Sequence, residues 1–402
     1  MPSSKLSFAA PDQAIAAILS LLRPVGVETV ACLLAAGRVL AQPVAADRDS
    51  PPCDNSAMDG YAVRVADVRP EGMAVAGEVS IGCPPPALPA GQALRIVTGG
   101  PLPAGADAVI RREDVQEQPA QIVVRPDIEL EPGQHIRRQG ENARQGEAVL
   151  DAGRVIDAAV MSAITTFGVA RPCVYRRVRV AVLVTGNELR RAESPVNPWE
   201  LRDSNGPALW AMLSGLPWLE PPRLLHAKDD LAEITRTLEQ CLADCDAVLL
   251  TGGVSMGQHD HVPDAIAAAG ATILFRKLPI RPGRPLLGAV RADGRAILGL
   301  PGNPVSVMIT ARRFAAAVLQ HLAGMTGPHL LPAAVTLGQP DTAQLPLWWF
   351  RPVRLVSAGR AELLRSMGSA DVVSAAKSDG FVEIPPHGQG AGPWPFWRWS
   401  LD

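Results

Sequence analysis

Three observations predict an α/β multidomain fold, with a parallel α/β sheet accompanied by smaller β regions. Residues 178–326 alternate short solid apolar runs with helical stretches at the spacing of βαβ units. Residues 47–145 are rich in Pro and Gly, and their short apolar runs are bounded by turn residues, as in a small β domain. After the breaker-rich stretch 324–332 the texture is again that of short strands. A chain of 402 residues, 47% of them hydrophobic, has material for about two to four domains with separate cores.

Taken in chain order, the first element is a helix. Ile15, Ile18, Leu19 and Leu22 share one helical face, which predicts packing on the body of the protein rather than a secretory leader. No stretch approaches the roughly 18 uninterrupted apolar residues of a membrane span, so a cytoplasmic location is expected. Segments 23–46 and 146–177 read as helical or mixed and flank the β region. Together they would make one discontinuous domain into which 47–145 is inserted. Within that insert, 94–97, 108–110 and 121–124 are the apolar runs.

In the α/β region, strands buried on both faces are expected at 178–184, 247–250, 272–275 and 296–300, with helices near 206–214, 230–243, 262–269 and 304–322. Five of the eight tryptophans lie after residue 347, which predicts large rings filling the core of a small barrel. The six cysteines are scattered and suggest no disulfide framework. Cys241 and Cys245 read as small buried thiols. A formal net charge of −2 gives no general reason to bind nucleic acid or an anionic membrane, so any basic site is local.

Ligands of an open parallel sheet bind beyond the carboxyl ends of its strands. Three predicted ends carry Gly-rich polar turns: 185–188, 251–255 and 300–306. Glycine admits close backbone approach, and the free N–H groups of a helix start favour an anion. One such turn is weak evidence, since strand–helix turns need glycine anyway; three at one edge point to an anion pocket. No GxGxxG follows a strand and no P-loop is present, which disfavours dinucleotide and P-loop NTPase readings. Glu188 and Asp260 follow strand ends directly, and such carboxylates suit a hydrated Mg²⁺. Asp203-Ser204-Asn205 looks like a helix cap, and Asp229 and Asp230 also precede a helical run. The 277–285 segment holds Lys277, Arg281 and Arg284 between prolines, a stiff cationic set suited to an oxyanion, and Arg137 and Arg138 form a second basic pair.

These residues sit inside longer motifs. Cys53-Asp54-Asn55-Ser56-Ala57-Met58-Asp59-Gly60-Tyr61-Ala62-Val63 resembles the SAMDGYAV signature of MoeA proteins, which are related to the gephyrin E domain. Further matches follow in the family's order: VTGGPLPAGADAV at 97–109, HIRRQGEN at 135–142, TGNEL at 185–189 and RDSN at 202–205. TGGVSMGQHD at 251–260, KLPIRPGRP at 277–285 and GLPGNPVS at 299–306 complete the set.

The resemblance implies four domains: 23–46 plus 146–177 for linking and dimerisation, 47–145 as the inserted β domain, 1–22 plus 178–326 as a three-layer α/β molybdopterin-binding domain, and 327–402 as a C-terminal β-barrel. It implies a homodimer with sites shared between subunits, no nucleic-acid or membrane partner, and a Mg²⁺-dependent reaction. In that reaction adenylylated molybdopterin and molybdate are the substrates and AMP leaves. The partners implied are the enzyme that supplies the adenylylated pterin and the molybdoenzymes that accept the finished cofactor. By motif position Asp59, Glu188, Asp229 and Asp260 are the implied catalytic acids, with Glu188 and Asp260 on the metal. Thr98, Arg137, Asp203, Ser204, Gly252, Gly253, Ser255, Arg281, Arg284, Pro301, Gly302, Asn303, Ser306 and Ser369 are the implied substrate-binding residues.

Several positions depart from the pattern. Arg281 and Arg284 stand where lysines are usual, Asn142 where an Asp is common, Gly206 where an Arg is common, and Gln258-His259 replace Glu-Tyr or Glu-Lys. These departures favour an alternative, a non-catalytic carrier or scaffold. The retained acids argue against it, since a pure carrier of an anion gains nothing from carboxylates beside it. An adenylyltransferase on the same α/β fold is a third reading, and it would not require the Asp59 region.

Overall fold

The computed structural model describes residues 8–254, 260–327, 331–340 and 342–401. Ser255, Gln258 and His259 lie outside the described residues. The chain divides into two compact units, one of residues 43–151 and 162–169, the other of 1–42, 152–161 and 170–402.

In the smaller unit a six-stranded sheet runs Ala108–Arg111, Gly60–Val63, Gln92–Ile96, Met73–Glu78, Gln121–Val124, Val115–Gln118. All neighbours are antiparallel except Met73–Glu78 with Gln92–Ile96, whose parallel register shifts between Val75 and Gly77. The Gly60–Val63 strand is buried throughout. Its alternation sends Tyr61 and Val63 into one apolar cluster and Ala62 into another. Gly60 is required by close approach: a Cβ there would lie 1.8 Å from the Ile110 carbonyl oxygen. In the same unit Val44–Ala45 pairs with Ala148–Leu150.

In the larger unit the central sheet runs Arg223–Ala227, Val180–Thr185, Ala247–Thr251, Ala296–Leu300, Leu287–Arg291, Ala271–Phe275. The three strands Val180–Thr185, Ala247–Thr251 and Ala296–Leu300 are buried at every residue. Their side chains alternate between two cores. Val182, Leu249 and Leu298 face the N-terminal helix Pro11–Leu19 and the helices beginning at Asn205 and Pro304. Leu183, Val248 and Ile297 face Ile234 and Leu238 of Leu231–Asp244 and Ile266 of Val262–Ala268. Helices thus cover both faces, giving three layers.

The expected parallel sheet is corrected at one end. Leu287–Arg291, unexpected from sequence, runs antiparallel to both its neighbours. Only four residues separate it from Ala296–Leu300, and so short a loop joins antiparallel strands, whereas a parallel pair needs a long crossover. Ala271–Phe275 is therefore an edge strand and is only partly buried. Arg223–Ala227, the opposite edge, escaped detection because it is largely exposed and lacks an apolar run.

Still in the larger unit, Val27–Thr29 pairs with Cys173–Tyr175. Five C-terminal strands (Ala333–Leu337, Trp348–Ser357, Arg360–Leu363, Gly380–Ile384 and Trp394–Arg398) close into a ring, since Trp348–Ser357 pairs with both Arg360–Leu363 and Gly380–Ile384. The prediction that tryptophans fill this barrel is corrected. Val335, Leu337, Val353, Val382, Ile384 and Phe396 form its core, with Trp349 and Trp394 at the margin. Trp348, Trp397 and Trp399 instead pack outward on the large α/β cluster. The strand pleat separates Phe396 from Trp397 in this way. Cys241 and Cys245 are buried in apolar surroundings, and burial pushes the Cys241 thiol up to about 11.

Candidate active site

Three adjacent parallel strands end together, with Val184 opposite Thr251 and Thr251 opposite Leu300. Their Gly-rich turns consequently share one edge of the sheet. The Thr185 hydroxyl donates to the Thr251 carbonyl at 3.2 Å. Gly252 has φ +88°, and a Cβ there would lie 2.7 Å from the Thr185 carbonyl oxygen, so the turn closes only with glycine. Gly302 comes close behind it, and its carbonyl accepts from Asn205 Nδ2 at 2.9 Å.

Beyond this edge lies a cavity of about 580 Å³. Arg281, Arg284, Pro301, Asn303, Ser306 and Ser369 all line it. The proline-flanked turn supplies the two guanidiniums, and the start of the helix at Pro304 supplies Ser306. Ser369 is held there twice: Asn303 Nδ2 donates to its hydroxyl at 2.9 Å, and the Val305 amide donates to its carbonyl at 3.0 Å. Its loop is clamped by Asp371, whose carboxylate accepts from the Met367 and Ser374 amides and is held below the usual range by those bonds.

The barrel adds residues that motif reading missed. Trp349, Arg351 and Ser366 also line the cavity, and the Arg351 guanidinium stacks 4.1 Å from the centre of the Trp349 ring. Alternate positions of one strand put both on the same side, a pattern visible in sequence but without meaning until the strand is placed.

The acids separate into smaller groups. Asp229 accepts from the Asn187 amide at 3.0 Å, and the Glu188 carboxylate sits against Gly186 of the same turn. Asp203 Oδ1 accepts from the Gly206 amide at 3.0 Å, so Asp203, rather than Ser204, caps the Asn205–Leu213 helix. Asp203 lines a second cavity of about 560 Å³ with Arg190, Arg191 and His226. A Cβ at Gly206 would meet Asp203 Oδ2 at 2.6 Å, so the glycine leaves the carboxylate its place. Gly253, with φ +59°, follows Gly252 at the sheet edge. Asp260 precedes the Val262–Ala268 helix, and Ser255 lies outside the described residues. Among the described residues no group of three or more His, Cys, Asp or Glu is arranged to hold a metal ion. A Mg²⁺ whose shell is completed by substrate phosphates needs only one or two carboxylates from the protein.

The smaller unit carries its own polar site. Asp59 Oδ1 accepts from the Thr98 amide at 2.7 Å and the Thr98 hydroxyl at 2.8 Å. The amide bond, then the hydroxyl bond, holds this exposed carboxyl below its ordinary value, with Arg112 and Arg95 adding attraction. Arg137 lies opposite Asn55 across a short strand pair and donates to Glu141 at 2.6 Å and to Asn142 Oδ1 at 2.8 Å. Asn142 thus accepts from Arg137 without contributing charge.

Known proteins share this organisation. Residues 9–168 match the MoeA N-terminal region (domain I and II), and residues 181–321 match a probable molybdopterin binding domain. The molybdopterin molybdenumtransferase of Synechococcus elongatus is 34% identical over 392 residues, covering 94% of this chain and 95% of its own. That of Nostoc sp. is 36% identical over 307 residues, 74% of this chain and 70% of its own. The crystal structure of the molybdopterin biosynthesis MoeA protein of Pyrococcus horikoshii OT3 superposes with a TM-score of 0.81 at 27% identity, covering 97% of this chain and 99% of that one. With this agreement in sequence and fold along nearly its whole length, the chain belongs to the MoeA family of molybdopterin molybdenumtransferases.

Proposed function

We propose that this enzyme inserts molybdate into adenylylated molybdopterin with release of AMP, the last step of molybdenum cofactor synthesis. The observation that carries this reading is the cavity in which Arg281, Arg284, Asn303, Ser306 and Ser369 converge at the Gly-rich end of the Ala296–Leu300 strand. Its size admits a pterin-sized ligand, and its cations sit on a turn stiffened by Pro279, Pro282 and Pro285.

Arg281 and Arg284 would gather molybdate, each offering a planar fork of N–H donors where relatives carry lysine. The backbone of 252–253 and 301–303, together with Ser306 and Ser369, would hold the nucleotide-bearing pterin, and Ser255 would extend that loop. Asp203 and Ser204 would line the approach, and Asp229 would fix the turn that presents Glu188. Glu188 and Asp260 would hold Mg²⁺, which when bound neutralises phosphate charge and polarises the scissile phosphoryl oxygen. Asp59, kept ionised by Thr98, would orient the reacting groups, with Arg137 helping to seat the substrate. A homodimer would bring Asp59 of one subunit to the α/β cavity of the other, within the four-domain division 23–46 plus 146–177, 47–145, 1–22 plus 178–326, and 327–402. An enzyme supplying the adenylylated pterin and molybdoenzymes receiving the product would be its partners in the cytoplasm.

The test is molybdate-dependent AMP release from adenylylated molybdopterin with Mg²⁺, comparing wild type with Asp59→Ala. AMP release and active cofactor from wild type alone support the reading. Tight pterin binding without turnover by either protein, at any molybdate concentration, would replace the enzyme with a carrier.

A further inference from the structure

Away from the strand ends, the helix that starts at Pro304 passes through a π-helical turn, Ala311–Ala315, before continuing as Ala316–Leu322. Such turns displace side chains from regular helical positions and occur often at ligand sites. Here the turn presents two consecutive arginines to the C-terminal barrel. Arg313 pairs with Glu383, itself buried and held by Trp397 Nε1, and with Asp12 of the first helix, and both acids line a neighbouring cavity with Arg312.

Arg312 is treated differently. Its Nε donates to the Arg398 carbonyl at 2.6 Å, its guanidinium lies over the Trp397 ring at 5.2 Å, and among the described residues it makes no ion pair with a carboxylate. Burial and the neighbouring Arg313 pull it down to about 10. The Arg398 side chain, on the last barrel strand, likewise has no carboxylate partner among the described residues and rests near the Phe396 ring. Both arginines line a cavity of about 230 Å³ together with Gln320, Trp397 and Ser400. Asp12 and Glu383 are engaged by Arg313, and the cavity shared by Arg312 and Arg398 has no acid among the described residues of its lining, so two cations face one space that an anion would complete.

We propose that this cavity is a binding site for a small tetrahedral oxyanion, held by the free guanidinium nitrogens of Arg312 and by Arg398, with Gln320 and Ser400 as neutral donors. The cavity volume suits an inorganic oxyanion and is well below that of the strand-end cavity of about 580 Å³. Planar guanidinium forks bind phosphate-like oxygens bidentately, and the Trp397 face holds the Arg312 plane in position. The site is separate from the one assigned above to the reaction, sharing none of its lining residues.

The experiment is calorimetric titration of the full-length protein with inorganic phosphate, in wild type, Arg312→Gln, Arg398→Gln and Arg281→Gln. Phosphate binding that survives Arg281→Gln and weakens about tenfold or more in both Arg312→Gln and Arg398→Gln establishes the site. Arg398 is exposed, so Arg398→Gln should fold even if Arg312→Gln does not. In that event Ser400→Asp, which places a fixed carboxylate at the cavity, serves as the second variant and should abolish the same binding. Phosphate binding that is absent in wild type, is lost entirely in Arg281→Gln, or is unchanged by Arg398→Gln and Ser400→Asp would overturn the proposal.

Discussion

At Asp59 two bonds from one threonine hold a surface carboxylate below its ordinary value, which under the proposed function would serve catalysis rather than stability. Asp59→Asn should leave the melting temperature nearly unchanged while lowering AMP release by about 100-fold or more, the scale of losing a positioned charged group. Thr98→Val removes the hydroxyl bond that favours the ionised form, so the Asp59 carboxyl rises and the acidic limb of the rate profile moves to higher pH. A profile unchanged by Thr98→Val would remove Asp59 from that limb. Asp246 shows the structural counterpart. Burial alone would raise its carboxyl, but the bidentate Arg176 and the Arg179 amide bring it below the usual range. Its folded value is depressed, so its stabilisation is present above the unfolded value near ~3.9 and is lost as pH falls through the folded one. Asp246→Asn should therefore cost about 1–3 kcal/mol at neutral pH in denaturant unfolding, and less as pH falls below the folded value.

At the level of elements, glycines decide where strand ends can meet. Gly252→Ala puts a Cβ 2.7 Å from the Thr185 carbonyl oxygen at a φ of +88°. The turn must shift, with an expected loss of about 1–3 kcal/mol and weaker pterin-nucleotide binding, both measurable on one preparation. The helix that begins at Pro304 is tied to the barrel by Arg313 and Glu383, both buried. Glu383→Gln leaves the guanidinium without its buried partner and should cost about 3 kcal/mol, seen as a fall in melting temperature. The unexpected strand Leu287–Arg291 belongs at this scale too. Its apolar residues follow a proline-rich cationic turn, and only the four-residue connection to Ala296–Leu300 shows that the two form a hairpin.

For the molecule as a whole, the proposal of sites shared in a homodimer has a direct test. Asp59→Ala and Glu188→Gln proteins, each expected to be inactive under the proposed function, are mixed and their subunits allowed to separate and reassociate. If each site takes Asp59 from one subunit and Glu188 from the other, a mixed dimer regains one intact site of its two. Activity should then recover to about a quarter of wild type for random pairing. No recovery, with mixed dimers confirmed, would put both acids of each site in one subunit. The layered α/β unit was legible in the amino-acid pattern, because strands buried on both faces must be solidly apolar and their glycine turns fall at strand ends. The motifs that carry the family resemblance singled out Asp59 and Thr98, and the fold of the small β domain supplied the two bonds between them. The hairpin at Leu287–Arg291, the outward tryptophans and the arrival of Trp349, Arg351 and Ser366 at the cavity emerged only in the folded chain. Strand alternation states which residues share a face, but not which face meets a neighbour. That choice follows from long-range packing and barrel closure, which bring together residues far apart in the chain.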